Sequence, residues 1–503
     1  MVARAYTVAF HGVEGRLVEV QCAITAGLPA FNLVGLPDKA GSEAKERVRA
    51  AMTSMGLALP ARRITVNLSP ADMPKEGSHF DLPIALAVLA AMEVVPADAV
   101  ATQVALGELS LDGRLVAVIG ALPAALAAAE ADCGLICPAA CGAEAAWGGA
   151  VQVIAPPSLL ALVNHLNGRA ALAPAQPGTA PDTGTDRDLS DVRGQEKAKR
   201  ALEIAAAGRH HLLMVGPPGS GKSMLAARLP GILPQLEPTE ALETSMIHSL
   251  AGLLDEGGIS RRRPFRTPHP TASMAAIVGG GRAAKPGEIS RAHHGVLFLD
   301  ELPEFARAVL ETLRQPIETG DVVVARANAH VRYPCRFMLV AAANPCRCGY
   351  LADPARACAR VPDCGTDYLG RISGPLMDRF DLRIEVPPVP VEARGTLASG
   401  PPGEPSAAVA ARVARARAVQ RERFAEHPGL STNADAEGDL LQAIAALTDA
   451  AETLIGEIAR KFHLSARSYH RVLRVARTIA DLEASGPVEK RHIAVAAGYR
   501  LAY

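Results

Sequence analysis

Three regimes of hydrophobic patterning follow one another along the chain. From residue 1 to about 168, alternating stretches are interleaved with helical ones. Residues 17–24 and 63–68 alternate apolar and polar positions, the period of a strand with one buried face. Residues 42–55 predict a helix, with Ser42 at the N-cap and Val48, Ala51 and Met52 at helical spacing. Residues 81–92 form a second helix, apolar enough to be buried. Residues 105–118, broken at Asp112-Gly113, predict a hairpin, and 121–131 a third helix. The result is a mixed α+β unit over 1–168. Residues 169–187 are rich in Ala, Pro, Gly, Thr and Asp without periodicity and predict a flexible linker.

The second regime, 188–390, is built from short, wholly apolar runs. A helix over 196–207 precedes the run 211–215, and further runs follow at 295–299 and 337–343. Runs of this length suit strands of a parallel sheet buried on both faces. From 391 to 503 the pattern is helical only, with helices expected over 406–425 (Ser406 as N-cap), 439–447, 450–462, 468–482 and 488–499, a helical lid. The fold class expected is α/β.

The ends of the apolar runs carry the chemistry. Gly216-Pro217-Pro218-Gly219-Ser220-Gly221-Lys222-Ser223 fits G-x-x-x-x-G-K-[ST] at every fixed position, between a strand and a helix at 224–229. Glycines there let backbone N–H groups turn inward on a phosphate, and the helix N-terminus adds partial positive charge. Lys222 would reach the β- and γ-phosphates of ATP, and Ser223 would bind Mg²⁺. The run ending at Leu299 is followed by Asp300-Glu301. Asp300 is expected to hold the Mg²⁺ shell and Glu301 to polarise the attacking water.

Composition narrows the picture. The chain has 503 residues, 49% hydrophobic and 21% charged, enough for two or three domains. Lys+Arg 52 balances Asp+Glu 52, so any surface for nucleic acid must be local. The beginning lacks the apolar core of a signal peptide, and the apolar stretch 82–92 is too short to span a bilayer; a cytoplasmic protein without membrane association is expected. Of the nine cysteines, Cys346, Cys348, Cys358 and Cys364 share one loop punctuated by Gly and Pro, a candidate structural Zn²⁺ site. Cys22, Cys133, Cys137, Cys141 and Cys335 are expected to pack.

Two insertions complete the inventory. Residues 237–294 are rich in Gly, Arg and His and include Arg266, Arg282 and Lys285. Residues 317–332 predict a hairpin turning at Gly320-Asp321, with Arg326, His330 and Arg332 on the return strand.

These landmarks resemble known families. Pro74-Lys75-Glu76-Gly77-Ser78-His79-Phe80-Asp81 and Gly107-Glu108-Leu109-Ser110-Leu111-Asp112-Gly113-Arg114 are similar to the Lon-protease-like domain (ribosomal S5 domain 2-like) of Mg-chelatase-like proteins. In Lon-type proteases a serine is activated by a lysine. Here the serine's place falls on His79 and the lysine's near Ala124, which implies an inactive scaffold. The central region resembles the AAA+ ATPases. Asn344 matches sensor 1, Arg379 in Asp378-Arg379-Phe380-Asp381 matches the arginine finger, with Arg371 the runner-up, and Arg467 matches sensor 2. The two insertions fall where one AAA+ clade carries a helix-2 insert and a pre-sensor-1 hairpin, directed at the pore of a ring. With Asp300-Glu301-Leu302-Pro303-Glu304-Phe305 and Tyr469-His470-Arg471, nearly the whole chain resembles the YifB/ComM family of Mg-chelatase-like AAA+ ATPases. That resemblance implies a hexameric homo-oligomer using ATP and Mg²⁺ on branched or single-stranded DNA, a helicase promoting branch migration as transforming DNA is integrated. The alternatives are the motor subunit of a metal chelatase, against which the Lon-like unit argues, and an ATP-dependent protease, against which the absent Ser/Lys pair argues.

Overall fold

The computed structural model describes residues 2–149, 152–180, 187–254, 257–281, 284–326, 329–351, 355–388 and 403–501. In the N-terminal unit, β1 (Val2–His11) turns at Gly12-Val13 and pairs antiparallel with β2 (Glu14–Thr25). With β3 (Ala30–Val34), β4 (Arg63–Ser69), β5 (Gln103–Ala105), β6 (Gly134–Ile136) and β7 (Val153–Ile154) they form a seven-stranded sheet, order β3-β4-β2-β1-β5-β6-β7. The ten-residue β1 has no counterpart in the sequence reading. Its buried positions include Ala3, Ala5 and Ala9, too small to give a strong alternation.

Helices cover both faces. On one, α1 (Asp38–Ser54) and α2 (Asp81–Ala91) pack with Val18, Val20, Ile64 and Leu68; on the other, α3 (Ala121–Glu130) packs with Val8, Val104 and Leu135. Residues Asp81 to Ala90 of α2 are all buried, as for a helix apolar all round. α1 starts at Asp38 after Pro37, so Ser42 lies inside the helix and caps nothing. The expected hairpin is reduced to Glu108–Leu109 paired with Leu115–Val116, while 103–105 joins the main sheet. Part of the linker stretch is pinned: Gly178 N–H donates to Ala143 O (3.0 Å), and the Trp147 indole N–H is shared between Gly178 O and Gly257 O, each at 3.1 Å.

The central unit begins with α4 (Glu196–Gly208), β8 (Leu212–Val215), α5 (Lys222–Ala226), α6 (Pro238–Ala251), β9 (Phe265–Arg266) and β10 (Val296–Leu299). The hairpin strands β11 (Asp321–Arg326) and β12 (Ala329–Pro334) follow, then β13 (Met338–Ala343), α7 (Asp363–Leu369) and β14 (Leu382–Glu385). Strands β9-β10-β13-β8-β14 form a parallel sheet in that order. Every residue of β8, β10 and β13 is buried, which is why they read as unbroken apolar runs. Val215 pairs with Ala343 and Leu299 with Ala341, so Gly216, Asp300 and Asn344 leave the sheet at the same edge. In open parallel sheets that edge is where ligands bind.

The hairpin corrects the expectation. Residues Arg314–Thr319 are helical and end at Gly320 (φ +72°), a left-handed helix cap rather than a hairpin turn. The strands run on either side of residues 327–328, so Arg326 ends the outgoing strand. Val322, Val324, Val331 and Tyr333 point into a core that Phe10 and Val13 of the N-terminal unit also join. Val323, His330 and Arg332 lie on the exposed face.

The described lid comprises α8 (Ser406–Arg423), α9 (Gly438–Ala445), α10 (Asp449–Lys461), α11 (Ala466–Leu482) and α12 (Lys490–Arg500), and its core is continuous with α4 and β14. Pro405, not Ser406, occupies the N-cap of α8; Ser406 Oγ instead accepts Leu189 N–H at 2.8 Å. Asp381 ties lid to sheet: it accepts His211 N–H (3.0 Å) on one oxygen and Arg471 of α11 (2.6 Å) on the other. Burial pushes its carboxyl up, but Arg471 and the neighbouring histidines outweigh that and hold it well below the usual range. Among the described residues no helix is long and apolar enough to cross a membrane.

Candidate nucleotide site

Residues 216–223 link β8 to α5. Gly219 (φ +75°) and Gly221 (φ +92°) adopt left-handed conformations that bend the loop back on itself. Lys222 is the first residue of α5 and 8% exposed. Its ammonium donates to Gly216 O (2.7 Å), Pro217 O (3.0 Å), Asn344 Oδ1 (3.3 Å) and Ser220 Oγ (3.4 Å). Burial lowers its pKa, partly offset by Asp300 and Glu301. Ser223 Oγ donates to Asp300 Oδ2 at 2.6 Å, so a hydroxyl and a carboxylate suited to one hard cation share a hydrogen bond.

Glu301 follows with its carboxylate exposed and its N–H on Asp300 Oδ1 (2.9 Å). Its φ of +51° is left-handed, a conformation costing a non-glycine residue about 1–2 kcal/mol. Strain of that kind collects where a side chain must be aimed. Thus Lys222, Ser223, Asp300, Glu301 and Asn344 are brought together. Gln195 extends over the same loop, donating to Pro387 O at 2.7 Å and to Ser220 O at 3.4 Å.

The arginines are placed elsewhere. Arg379 is 6% exposed; it donates to Pro375 O (2.6 Å) and Arg314 O (3.2 Å) and pairs with Glu318. In the single chain it is therefore not a projecting finger, because Glu318, brought near by the helix before the hairpin, holds it inward. Burial lowers its pKa, Glu318 offsets part of that, and the positive charges of Arg314, Arg471 and Arg467 lower it again. Arg467 is exposed in the first turn of α11, and the charges acting on Lys222 are Asp300 and Glu301. Arg371 is exposed and reaches Pro303 O (3.3 Å) and Glu304 (3.5 Å), behind Glu301.

Sequence reasoning missed Tyr368 on α7. It is 4% exposed, and burial, a hydrogen bond to Glu304 and the nearby charge of Glu301 raise its pKa. It also missed Glu243, which is held by His294 (2.7 Å) and His293 (3.3 Å). Because His293 Nδ1 accepts Arg336 N–H, its proton sits on Nε2 facing Glu243. That trio is a hydrogen-bonded cluster. Adjacency in the fold, not spacing in the chain, was the only available signal for either.

Cys346, Cys348 and Cys364 place their sulfurs within 4.8 Å of one another, and Cys358 adjoins them through contacts to Cys348 and Cys364. The N–H groups of Tyr350 and Cys358 donate to Cys348 and draw its thiol down to about 6; burial pushes Cys364 up to about 12. Backbone N–H bonds to a cysteine sulfur suit a thiolate metal ligand; three sulfurs converge, and the expected fourth, Cys358, adjoins the group without joining it, so a tetrahedral Zn²⁺ would draw Cys358 in. The remaining cysteines pack: Cys22, Cys137, Cys141 and Cys335 are buried, and Cys133 is half-buried.

The cations of the insertions differ in availability. Arg266, expected to face a pore, instead forms a two-pronged pair with Glu288 (2.7 and 2.9 Å). Breaking such a partly buried pair costs several kcal/mol. Arg332 pairs with Asp321 at 69% side-chain exposure, where an ion pair is worth about 0–1 kcal/mol and exchanges readily for a phosphate. Lys285 is exposed. Arg282 and the side chain of Arg326 lie outside the described residues.

The sheet order, the loop after β8, the acids after β10 and the appended lid define the AAA+ class of P-loop ATPases. Comparison with known proteins agrees. Residues 188–394 match the family described as magnesium chelatase, subunit ChlI; residues 18–140 match subunit ChlI of Mg-chelatase, and 403–500 its C-terminal part. The chain is 44% identical to Competence protein ComM of Haemophilus influenzae over 99% of its own length and 97% of the relative's. It is 42% identical to YifB of Escherichia coli, covering 98% and 96%. The magnesium-chelatase 38 kDa subunit of Rhodobacter capsulatus is 29% identical over 41% of this chain and 58% of that protein. The chain belongs to the YifB/ComM family of Mg-chelatase-like AAA+ ATPases, and membership implies use of ATP and Mg²⁺.

Proposed function

We propose that this protein is an ATP-hydrolysing motor that assembles as a hexameric ring and moves DNA, promoting branch migration while transforming DNA is integrated. The observation that carries this reading is the end-to-end match to a protein named for competence, in a chain that also carries an exposed, readily exchanged arginine on its hairpin. Lys222 exchanges its loop carbonyls for the β- and γ-phosphates. Ser223 and Asp300 hold Mg²⁺, which neutralises charge developing on the transferred phosphoryl group. Glu301, aimed by its left-handed backbone, takes a proton from the attacking water, and Asn344 orients that water against Lys222. Arg379 and Arg467 act together on the phosphates of a neighbouring subunit, Arg379 releasing Glu318 to do so. The four clustered cysteines hold about one Zn²⁺ per chain. The protein works in the cytoplasm.

The second reading is a metal-chelatase motor, supported by the partial similarity to the 38 kDa subunit, which leaves more than half of this chain unmatched. ATPase assays with forked DNA, single strands, duplex or porphyrin separate the two. Stimulation by branched or single-stranded DNA supports the DNA motor; stimulation by porphyrin alone would replace it with the chelatase.

A further inference from the structure

The cysteine loop is packed against the phosphate loop. Gly349, one residue after Cys348, has φ +85°, and a Cβ placed on it would lie 2.5 Å from Pro218 Cδ and 2.6 Å from Cγ. Real Cβ atoms do not come that close, so only glycine lets the two loops meet. Pro218 is the second variable position of the phosphate loop and is otherwise exposed. The knuckle is anchored at both ends to the same site. Asn344, two residues before Cys346, contacts Lys222. Tyr368, one turn after Cys364 on α7, bonds Glu304 behind Glu301. One segment therefore touches the phosphate-loop proline, the phosphate-loop lysine and the turn that carries Glu301.

Both partners in the contact are stiff. Pro218 has a fixed ring, and Gly349 is fixed by its N–H on Cys346 O (3.0 Å) and by its position between cysteines. Ahead of α5 the phosphate loop's own backbone N–H groups make two backbone bonds, Gly216 N–H to Ala343 O and Ser220 N–H to Pro217 O, and Gly221 O accepts Leu225 N–H. A gripped knuckle would therefore set how tightly that loop is curled.

We infer that the cysteine knuckle is a clasp on the nucleotide site, with Gly349 a positioning residue that presses on Pro218 and holds the phosphate loop in its binding shape. The inference rests on the zinc reading for what grips the knuckle, but the Gly349–Pro218 contact stands without it. The knuckle acts inward, on nucleotide affinity, rather than as a surface for DNA.

The test uses the full-length protein and a fluorescent ADP analogue. Gly349→Ala should keep its zinc by elemental analysis and its thermal midpoint, yet bind the analogue about tenfold more weakly, because overpacking and a left-handed alanine both strain the contact. Adding Pro218→Ala opens space for the new methyl group and should recover a substantial part of that loss. A zinc-selective chelator should weaken nucleotide binding by wild type and speed hydrogen exchange in the peptide spanning 212–223. That exchange measurement also decides the matter if Gly349→Ala does not fold. Normal affinity in a folded Gly349→Ala protein, or unchanged exchange after zinc removal, overturns the clasp. A metal-free wild type in which Gly349→Ala still weakens binding would sink the zinc reading and leave the contact standing.

Discussion

Two loops in this molecule join a strand region to a helix and carry a lysine, a serine and a nearby acid, and they differ in how those three groups are held. In residues 74–81 Lys75, Ser78, His79 and Asp81 are turned onto partners within the fold, and of the charged side chains Glu76 alone is exposed. Lys75 is 2% exposed with its ammonium on Pro70 O and Met73 O, Ser78 bonds Glu108, His79 donates to Val8 O, and Asp81 is paired with Arg47. The position near which a Lon-type lysine would fall, Ala124, is a fully buried alanine. In residues 216–223 the serine and the neighbouring glutamate face solvent, and the lysine lies on groups it can exchange. The contrast lies in where the donors point rather than in residue types. A loop whose polar atoms satisfy one another holds a fold together; one with unused acceptors and a left-handed acid is ready for a substrate.

The largest expected effect is at the open loop. Lys222→Ala should abolish nucleotide binding measured by titration, because it removes the loop's own cation for the β- and γ-phosphates. At the closed loop, Lys75→Met or Ser78→Ala should leave ATP turnover within about twofold, while Lys75→Met lowers the thermal midpoint if its carbonyl bonds lock the loop. Turnover lost in Ser78→Ala would erase the distinction between the loops.

The arginines sharpen it next. Arg379→Ala should cut hydrolysis by about 10³-fold or more and leave binding nearly intact. Mixing it with Lys222→Ala protein should partly restore turnover, since each supplies what the other lacks at a shared interface. Arg371→Ala should be milder, because Arg371 only props Glu304. If Arg371→Ala is the more severe and only it is rescued by mixing, the finger has been misassigned.

A smaller effect reaches both regions through pH. Burial depresses His79 in the N-terminal unit and His211 at the start of β8 from an ordinary 6.5 to about 4. Between those values the unfolded chain binds more protons than the folded one. Stability should be fully present above about 6.5 and fall as pH drops through about 4. Calorimetry across that window should show the loss, and His79→Gln should flatten the share belonging to the N-terminal unit. A midpoint that rises as pH falls there would contradict the buried neutral histidines.

Much of this was legible in the sequence. The loop at 216–223 has fixed spacing and a strand and helix on either side, and the fully buried strands read as apolar runs. What was not legible depends on distant partners or weak signals. β1 hid behind small alanines, and Gly320 looked like a hairpin turn because a helix cap and a turn ask for the same backbone. The inward hold on Arg379 comes from Glu318, and the packing of Gly349 on Pro218 joins residues far apart in the chain. Arg266 looked like a pore cation until Glu288 was found across from it.

The central claim, that chemistry belongs to the open loop and its strained acid, is tested most directly by Glu301→Gln. Binding of a fluorescent ATP analogue and steady-state ATP turnover should be measured on the same preparation, with and without forked DNA. ATP should bind as in wild type, while turnover falls by about 10²–10⁴-fold under both conditions, because the substitution removes the base and keeps the shape. Turnover near wild type in a protein that still binds ATP would contradict the account.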